Sequence, residues 1–270
     1  MIVRGEVKRN KHSSGLCQEC RVFIIISHDE GLSLLSFLFF GLLPTLLVIS
    51  HYQNLGTPEG WRKGDAGATR LANWLLWLFG IRLRATGAPL EGSALIAANH
   101  ISWLDILALH ANGAMGFVGK AEIQQWPVFS FVARAGGTIF HQRGCHDSAA
   151  DVTSMMAQRL KNGRRVAIFP EGGILPGADI RIFHARMFKA AVDAGCPVQP
   201  VMVRYIRDGR RDDEILFRDG ESMLSNIARV LSRPSVLAEV HFLPPISSID
   251  QPRRTLAEAA RAAVINSYES

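Results

Sequence analysis

The chain has 270 residues, enough for one sizeable α/β domain with appendages. Hydrophobic residues make up 48% of it and the mean hydropathy is +0.12, values that are high for a soluble protein and indicate contact with a membrane. The net charge of +6 suits anionic lipid headgroups, an acidic carrier protein or nucleic acid, but no motif favours nucleic acid and no such partner is expected.

Residues 1–30 are polar, mixed in charge and without a clear period, which is typical of an N-terminal extension. This stretch holds Cys17 and Cys20, whose spacing suits a zinc knuckle or a redox pair. No second pair follows, so metal or redox function is the minor interpretation. The four cysteines of the chain do not make a disulfide scaffold and fit a reducing compartment.

Two apolar runs follow, and both indicate membrane association. Residues 31–50 contain no charged side chain, and twenty helical residues match a hydrocarbon core of about 30 Å. Gly41 and Pro44 would kink such a helix, so a re-entrant segment stays open. Residues 71–79 are shorter and rich in Trp, which predicts an interfacial helix at headgroup level. We therefore expect residues 31–86 to form a membrane-anchoring helical region.

Beyond Gly87 short apolar runs alternate with amphipathic ones, which predicts an α/β domain over residues 87–270. The expected architecture is a mixed, mostly parallel central sheet flanked by helices. Predicted strands are 93–98, 116–119, 137–142, 165–169, 197–205 and 236–243. Predicted helices are 103–112, 121–135, 147–162, 184–194, 220–232 and 254–267.

The segment from Asn99 to Asp105 places a histidine, a hydroxyl and a carboxylate directly after a buried strand. With Ser102 as the helix N-cap, Asp105 would be the third helical residue and could reach back toward His100. The pair would then suit acid–base chemistry. A capping box beside a surface histidine explains the same residues, and the segment alone leaves both interpretations open.

Other polar groups stand at predicted strand ends. Lys120 and Arg143 each follow a short apolar run, where a permanently charged guanidinium suits a phosphate or carboxylate. Phe169-Pro170-Glu171-Gly172 ends another strand, and its glycine lets backbone N–H groups approach an anion. Solvated arginines and ordinary turns have the same patterns. Pro197 and Pro200 predict an edge strand or a strand start.

Taken in order, these stretches resemble the four motifs of the glycerolipid acyltransferase family, of the 1-acylglycerol-3-phosphate (lysophosphatidate) type with its HxxxxD signature. Asn99-His100-x-Ser102-x-x-Asp105 is similar to the first motif and the strand ending at Arg143 to the second. Phe169–Gly172 is similar to the third motif and residues 197–200 to the fourth.

The resemblance implies transfer of a fatty acyl group from acyl-coenzyme A or an acyl carrier protein to the free hydroxyl of a lysolipid. The first choice of acceptor is lysophosphatidate, giving phosphatidate in phospholipid biosynthesis, and lyso-ornithine lipid is an alternative. His100 would be the base and Asp105 would orient it. No cofactor is expected beyond the thioester co-substrate, and the chain is expected at a bacterial inner membrane with its catalytic domain facing the cytoplasm. The substrate-binding residues implied are Asn99, Ser102, Lys120, Arg143, Glu171 and Gly172.

The chain departs from the family after the third motif, where threonine and then arginine or serine often follow. Here the sequence continues Gly173-Ile174-Leu175-Pro176, which removes polar headgroup contacts. Arg181, in the loop that follows, is a candidate replacement for the missing basic group. Two other classes compete with the enzyme: a non-catalytic lipid-binding protein, and a metal hydrolase, for which no third ligand has useful spacing.

Overall fold

In a computed structural model of the protein, the described residues are 47, 51, 58–120, 137–141, 146–174, 179–233 and 235–270. The extension 1–30 with its cysteines and the helix predicted at 121–135 lie outside them. So does the apolar segment 31–50, apart from residue 47. Within these ranges, no helix combines the length and the apolar character needed to cross a membrane.

Eight strands in the described ranges form one mixed sheet, and six of them match the predicted strands, whereas β1 and β7 were not predicted. They are β1 (Ile81–Thr86), β2 (Leu95–Ala98), β3 (Gly116–Lys120), β4 (Ile139–His141), β5 (Val166–Ile168), β6 (Val198–Arg207), β7 (Arg210–Arg211) and β8 (Val236–Phe242). Their order is β1-β8-β6-β2-β5-β3-β4, and β7 pairs with β6. Only β6–β7 and β6–β8 are antiparallel pairs among these strands. The mostly parallel architecture is confirmed.

Helices cover both faces of this sheet. They are α1 (Pro58–Leu78), α2 (Leu104–Asn112), α3 (His146–Lys161), α4 (Lys189–Ala194), α5 (Met223–Leu231) and α6 (Arg253–Glu269), with 3₁₀ turns at Ala185–Phe188 and Asp213–Ile215. One core cluster takes side chains from α3, α4 and α6. The other takes them from α1, α2 and α5. The sheet therefore lies between two helical layers, as in other α/β domains.

Strand β2 is buried on both faces, which explains its short continuous apolar sequence. Leu95 and Ala97 belong to one core cluster, whereas Ile96 and Ala98 belong to the other. The strand lies between β5 and β6 and runs parallel to both. Since parallel strands end at one edge of a sheet, the residues that follow β2 and β5 emerge close together.

Strand β1 belongs to the sheet, although the sequence analysis included residues 81–86 in the anchoring region. Its six residues pair in parallel register with β8. Ile81 is buried and Leu83 packs against the same core, while Arg84 Nη1 donates to Glu239 Oε1 at 2.8 Å. The alternation of apolar residues with arginine is the strand signal in this stretch. The sheet therefore begins before residue 87.

The prolines of the fourth motif do not mark an edge strand. Pro197 precedes β6, as a strand-start proline should, but Pro200 is inside β6, between β2 and β8. Its carbonyl accepts the N–H of Leu243 at 3.0 Å, one residue beyond β8. In an antiparallel pair of this kind Pro200 would also donate to the Leu243 carbonyl, which proline cannot do, and Gln199 Nε2 donates to that carbonyl instead at 3.4 Å.

Candidate functional site

The turn after β2 is fixed to β6 by the side chain of Asn99. Asn99 Nδ2 donates to the carbonyl of Val203 at 2.8 Å, and Asn99 Oδ1 accepts the N–H of Val203 at 2.8 Å. The amide is buried, and both its nitrogen and its oxygen bond to the backbone of Val203 on the neighbouring strand. Asn99 also borders the cleft described below, but the position of its amide is set by β6.

Asp105 is fully buried and accepts four hydrogen bonds. Its Oδ2 accepts from His100 Nδ1 at 2.8 Å and from the backbone N–H groups of Ile101 and Ser102 at 2.7 and 2.9 Å. Its Oδ1 accepts from the Tyr205 hydroxyl at 2.7 Å. Because a carboxylate only accepts, this network assigns the imidazole proton to Nδ1 and leaves Nε2 as the acceptor nitrogen.

The helix after this turn begins one residue later than the predicted capping box requires. Helix α2 starts at Leu104, and Trp103, not Ser102, occupies the N-cap position with no side-chain cap bond. The Ser102 hydroxyl is 3.4 Å from the Leu104 nitrogen and is fully buried, so Ser102 is part of the framework of the turn and not of a cleft wall. Asp105 still reaches back to the turn, as predicted, and it both ties the helix start and holds His100.

His100 borders a cleft at the C-terminal edge of the sheet. Its ring stacks on Phe169, with centroids 3.8 Å apart and planes 10° from parallel. Its side chain is 12% exposed. Stacking on one face and the bond at Nδ1 restrict the ring to one orientation, so one histidine edge remains for contact with a ligand.

Glu171 connects two backbone segments beside the cleft. Its Oε1 accepts the N–H of His100 at 2.8 Å, and its Oε2 accepts the N–H of Arg181 at 2.9 Å. Burial raises the pKa of this carboxyl group, and the two N–H donors partly oppose the shift. The sequence predicted a headgroup ligand or a brace for a cation. The contacts present hold the His100 turn to the Arg181 segment.

The far wall of the cleft carries charges of both signs. Arg211, the last residue of β7, and Asp213, two residues later, pair with each other at 2.6 Å. Asp212 binds Arg207 and Arg233 at 2.8 and 3.1 Å. The segment after the third motif adds two more charged residues, Asp179 and Arg181.

The remaining predicted site residues are placed only in part. Gly172 has φ +86°, and a Cβ there would lie 3.5 Å from the ring of His184, so glycine suits this turn. Lys120 ends β3 and pairs with His141, but its side chain lies outside the described part of the chain. Arg143 is outside the described residues as well. Among the residues that the structure does describe, no group of three His, Cys, Asp or Glu side chains is placed to hold a metal ion.

Tyr205 was not identified from the sequence. It lies on β6 two residues after Val203, on the face that packs in the core with Val201. A buried tyrosine generally needs a partner for its hydroxyl, and this requirement is the available sequence signal. Burial and the neighbouring Asp105 raise the pKa of Tyr205 well above its usual value, so the phenol stays a donor.

Comparison with known proteins gives one consistent family. A family model described as Acyltransferase matches residues 81–204. A lyso-ornithine lipid O-acyltransferase of Pseudomonas aeruginosa is 36% identical over 201 residues, which are 72% of this chain and 77% of that protein. A 1-acyl-sn-glycerol-3-phosphate acyltransferase of Neisseria gonorrhoeae is 32% identical over 150 residues, 55% of this chain and 58% of the other.

The fold has a counterpart among solved structures. The crystal structure of the 1-acyl-sn-glycerophosphate acyltransferase PlsC from Thermotoga maritima covers 94% of this chain, and 97% of that chain is matched, with a TM-score of 0.61. Its sequence is only 16% identical, so the likeness concerns the fold.

Proposed function

We propose that lyso-ornithine lipid is the acyl acceptor of this chain, which belongs to the acyltransferase family and transfers an acyl group to a lysolipid. The observation that carries the proposal is the mixed charge of the cleft, where Asp179 and Arg181 stand two residues apart near His100. Ornithine acylated on one amine keeps a carboxylate and a second amine. A headgroup of both signs suits such a wall better than a phosphate, which the carboxylates would repel.

Lysophosphatidate, the first choice from the sequence, is the second candidate. The relatives support this order, because the lyso-ornithine lipid enzyme matches 72% of this chain and the 1-acylglycerol-3-phosphate enzyme matches 55%. Arg143, after β4, suits a phosphate or a carboxylate equally well. The combination of positive and negative charges in the cleft, and not the presence of one basic residue, therefore distinguishes the two acceptors.

The proposed chemistry is direct transfer. His100 Nε2 takes the proton from the acceptor hydroxyl as its oxygen attacks the thioester carbonyl. The new C–O bond forms, the C–S bond breaks, and the imidazolium returns the proton to the leaving thiolate. Asp105 at 2.8 Å holds the imidazole in the tautomer that exposes Nε2, and it stabilises the charge that forms on the ring. No acyl-enzyme is required, since the acceptor is the nucleophile.

The donor in this proposal is an acyl thioester of coenzyme A or acyl carrier protein. His100 carries the proton from the acceptor hydroxyl to the leaving thiolate, so the proposal needs no cofactor beyond this thioester co-substrate.

Membrane anchoring is also a proposal, and helix α1 supports it. Trp74 and Trp77 are 39% and 51% exposed, whereas Ala72 and Leu76 are buried. Asn73 Nδ2 donates to the carbonyl of Ala111 at 2.8 Å, which attaches the helix to α2. An attached helix with exposed tryptophans suits the headgroup region of a bilayer. We propose that residues 31–80, which precede the sheet, hold the domain on the cytoplasmic face of a bacterial inner membrane.

An acceptor panel tests the proposed substrate. The full chain in detergent is assayed with lyso-ornithine lipid and with 1-acylglycerol-3-phosphate, each with acyl-coenzyme A and acyl carrier protein donors. We expect kcat/KM to be about 10- to 100-fold higher for lyso-ornithine lipid, the effect of one or two favourable charged contacts. A higher kcat/KM for the phosphate lipid with both donors would contradict the proposal.

Tyr205→Phe tests the support that β6 gives to Asp105. We expect kcat to fall about tenfold with both KM values unchanged, because the Asp105 Oδ1 loses a charge-assisted hydrogen bond of about 1.5–3 kcal/mol while the substrate contacts remain. Steady-state kinetics per folded molecule measures this split.

Val240→Ala is the matched control for Tyr205→Phe. Val240 is fully buried in the same core cluster and pairs with Val203, so its truncation lowers stability without removing a bond to Asp105. Its kcat per folded molecule should equal that of the wild type. An equal fall in kcat for both variants would assign the Tyr205 effect to general destabilisation.

A further inference from the structure

We propose that Arg181 binds the anionic group of the acceptor headgroup and determines acceptor specificity, an inference that rests on the proposed lysolipid acceptor. Arg181 borders the same cleft as His100. Three features of the structure support this assignment: a fixed backbone, an available guanidinium, and a direct connection to the backbone of His100.

The backbone of Arg181 is held on both sides. Its N–H donates to Glu171 Oε2 at 2.9 Å, and its carbonyl accepts Arg261 Nε at 2.7 Å. Arg261 Nη2 also donates to the carbonyl of Ile180 at 2.7 Å. A carboxylate and a guanidinium thus satisfy the polar backbone groups of a segment that belongs to neither helix nor strand. Such tethering holds a ligand-binding group in place before the ligand arrives.

Glu171 ties this segment to the proposed base. Its other oxygen accepts the N–H of His100 at 2.8 Å, so a single carboxylate spans the two backbone positions. The distance between the backbone nitrogens of Arg181 and His100 is therefore limited by the single carboxylate that accepts from both. A headgroup held at Arg181 would then have a defined distance to the histidine that acts on the hydroxyl.

The guanidinium of Arg181 is available for a ligand. Its charge helps to lower the pKa of Glu171, but among the described residues no carboxylate lies within 4.0 Å of it, whereas Arg211 on the same cleft is paired with Asp213. Arg181 is half-buried, and a planar guanidinium fork matches a carboxylate or a phosphate. A half-buried cation without a direct ion pair gains from an anionic ligand. Asp179, exposed on the same wall, is placed for the cationic part of a zwitterion.

The test pairs a change in the enzyme with a change in the acceptor. Lyso-ornithine lipid and its carboxyl methyl ester are assayed on wild type, Arg181→Ala, Arg181→Lys and Arg186→Ala. Arg186 is exposed, five residues along the chain, and outside the cleft, so its removal changes the net charge equally. The backbone bonds that hold the segment do not involve the side chain of Arg181, and Arg181→Lys gives a second, more conservative variant.

We expect wild type and Arg186→Ala to prefer the free carboxylate about 10- to 100-fold in kcat/KM, mainly through acceptor KM. Arg181→Ala should lose this preference, and Arg181→Lys should keep part of it. The KM for the acyl donor should not change in any variant. An Arg181→Ala enzyme that discriminates between acid and ester as the wild type does would overturn the inference.

The same variants separate this inference from the proposed acceptor. If the wild type uses 1-acylglycerol-3-phosphate instead, the two acceptors compared are that lipid and uncharged 1-acylglycerol. Loss of discrimination in Arg181→Ala on that pair supports the role of Arg181 although the proposed acceptor is wrong. Wild-type discrimination by Arg181→Ala on whichever pair the enzyme uses overturns it.

Discussion

His100→Ala is expected to lower kcat for acyl transfer by about 10²- to 10⁴-fold, the usual contribution of a general base. Stacking on Phe169 and the bond to Asp105 position the ring, and Nε2 is the nitrogen that these contacts leave for the acceptor hydroxyl. KM values should change little, because the truncated group acts in the transition state and not in ground-state binding. Thioester-dependent acylation of a lysolipid, followed over time, measures the loss.

A second histidine provides the control for this substitution. His241 lies on β8, its Nδ1 is 3.2 Å from the Ser267 hydroxyl, and it is not among the residues that line the cleft. His241→Ala should retain wild-type kcat. Wild-type turnover in His100→Ala would contradict the proposed base.

The same variant addresses the hypothesis of a non-catalytic lipid-binding protein. Under both hypotheses His100→Ala should bind lipid vesicles as the wild type does, because the proposed membrane contacts lie on α1. Only the enzyme loses a transferase activity that the wild type possesses. Binding and turnover measured on one preparation therefore separate the two classes.

Most of the sheet was predictable because its strands are short apolar runs between polar turns. Strand β1 was not identified, since the Trp-rich run before it suggested a membrane segment and drew the boundary past residue 86. The alternation of Ile81 and Leu83 with arginines was a weaker signal than the adjoining tryptophans. The internal place of Pro200 depends on the position of β8 beside β6, which no local pattern of residues 197–205 contains.

The local part of the site was also predictable, but its support was not. His100 and Asp105 are five residues apart, and the helix start between them limits their separation. Tyr205 reaches Asp105 across 100 positions, and Asn99 reaches Val203 across 104. Both contacts require β6 to lie beside β2, a strand order that sequence spacing does not define.

The function of Glu171 shows a second kind of limit. A glutamate at a strand end suggests a ligand for a cation or a headgroup, and the residue type is consistent with that. In the structure both oxygens accept backbone N–H groups, which are the same in every non-proline residue and carry no signal in a sequence. Glu171 also borders the cleft, and its contact with a headgroup stays a prediction.

Asp105→Asn is expected to lower kcat by about 10²- to 10⁴-fold with a much smaller loss of stability. The amide fills the same volume. Its oxygen can accept the three bonds now made to Oδ2, and its NH₂ group can donate to the Tyr205 hydroxyl. What the substitution removes is the negative charge beside the imidazolium that forms during transfer. A purely structural carboxylate would give the opposite pattern, with stability lost and turnover per folded molecule near normal.

Glu239→Gln is the matched control for this charge removal. Glu239 is a buried carboxylate that binds Arg204 and Arg84 at 2.7 and 2.8 Å, and it lies on β8 away from the cleft. Its amide variant should lose stability, because two arginines lose their anionic partner, yet keep wild-type kcat per folded molecule. Urea unfolding with turnover on the same samples measures both quantities. Near-normal turnover in Asp105→Asn, together with a loss of stability like that of Glu239→Gln, would reduce Asp105 to a helix-start residue and leave His100 without its proposed partner.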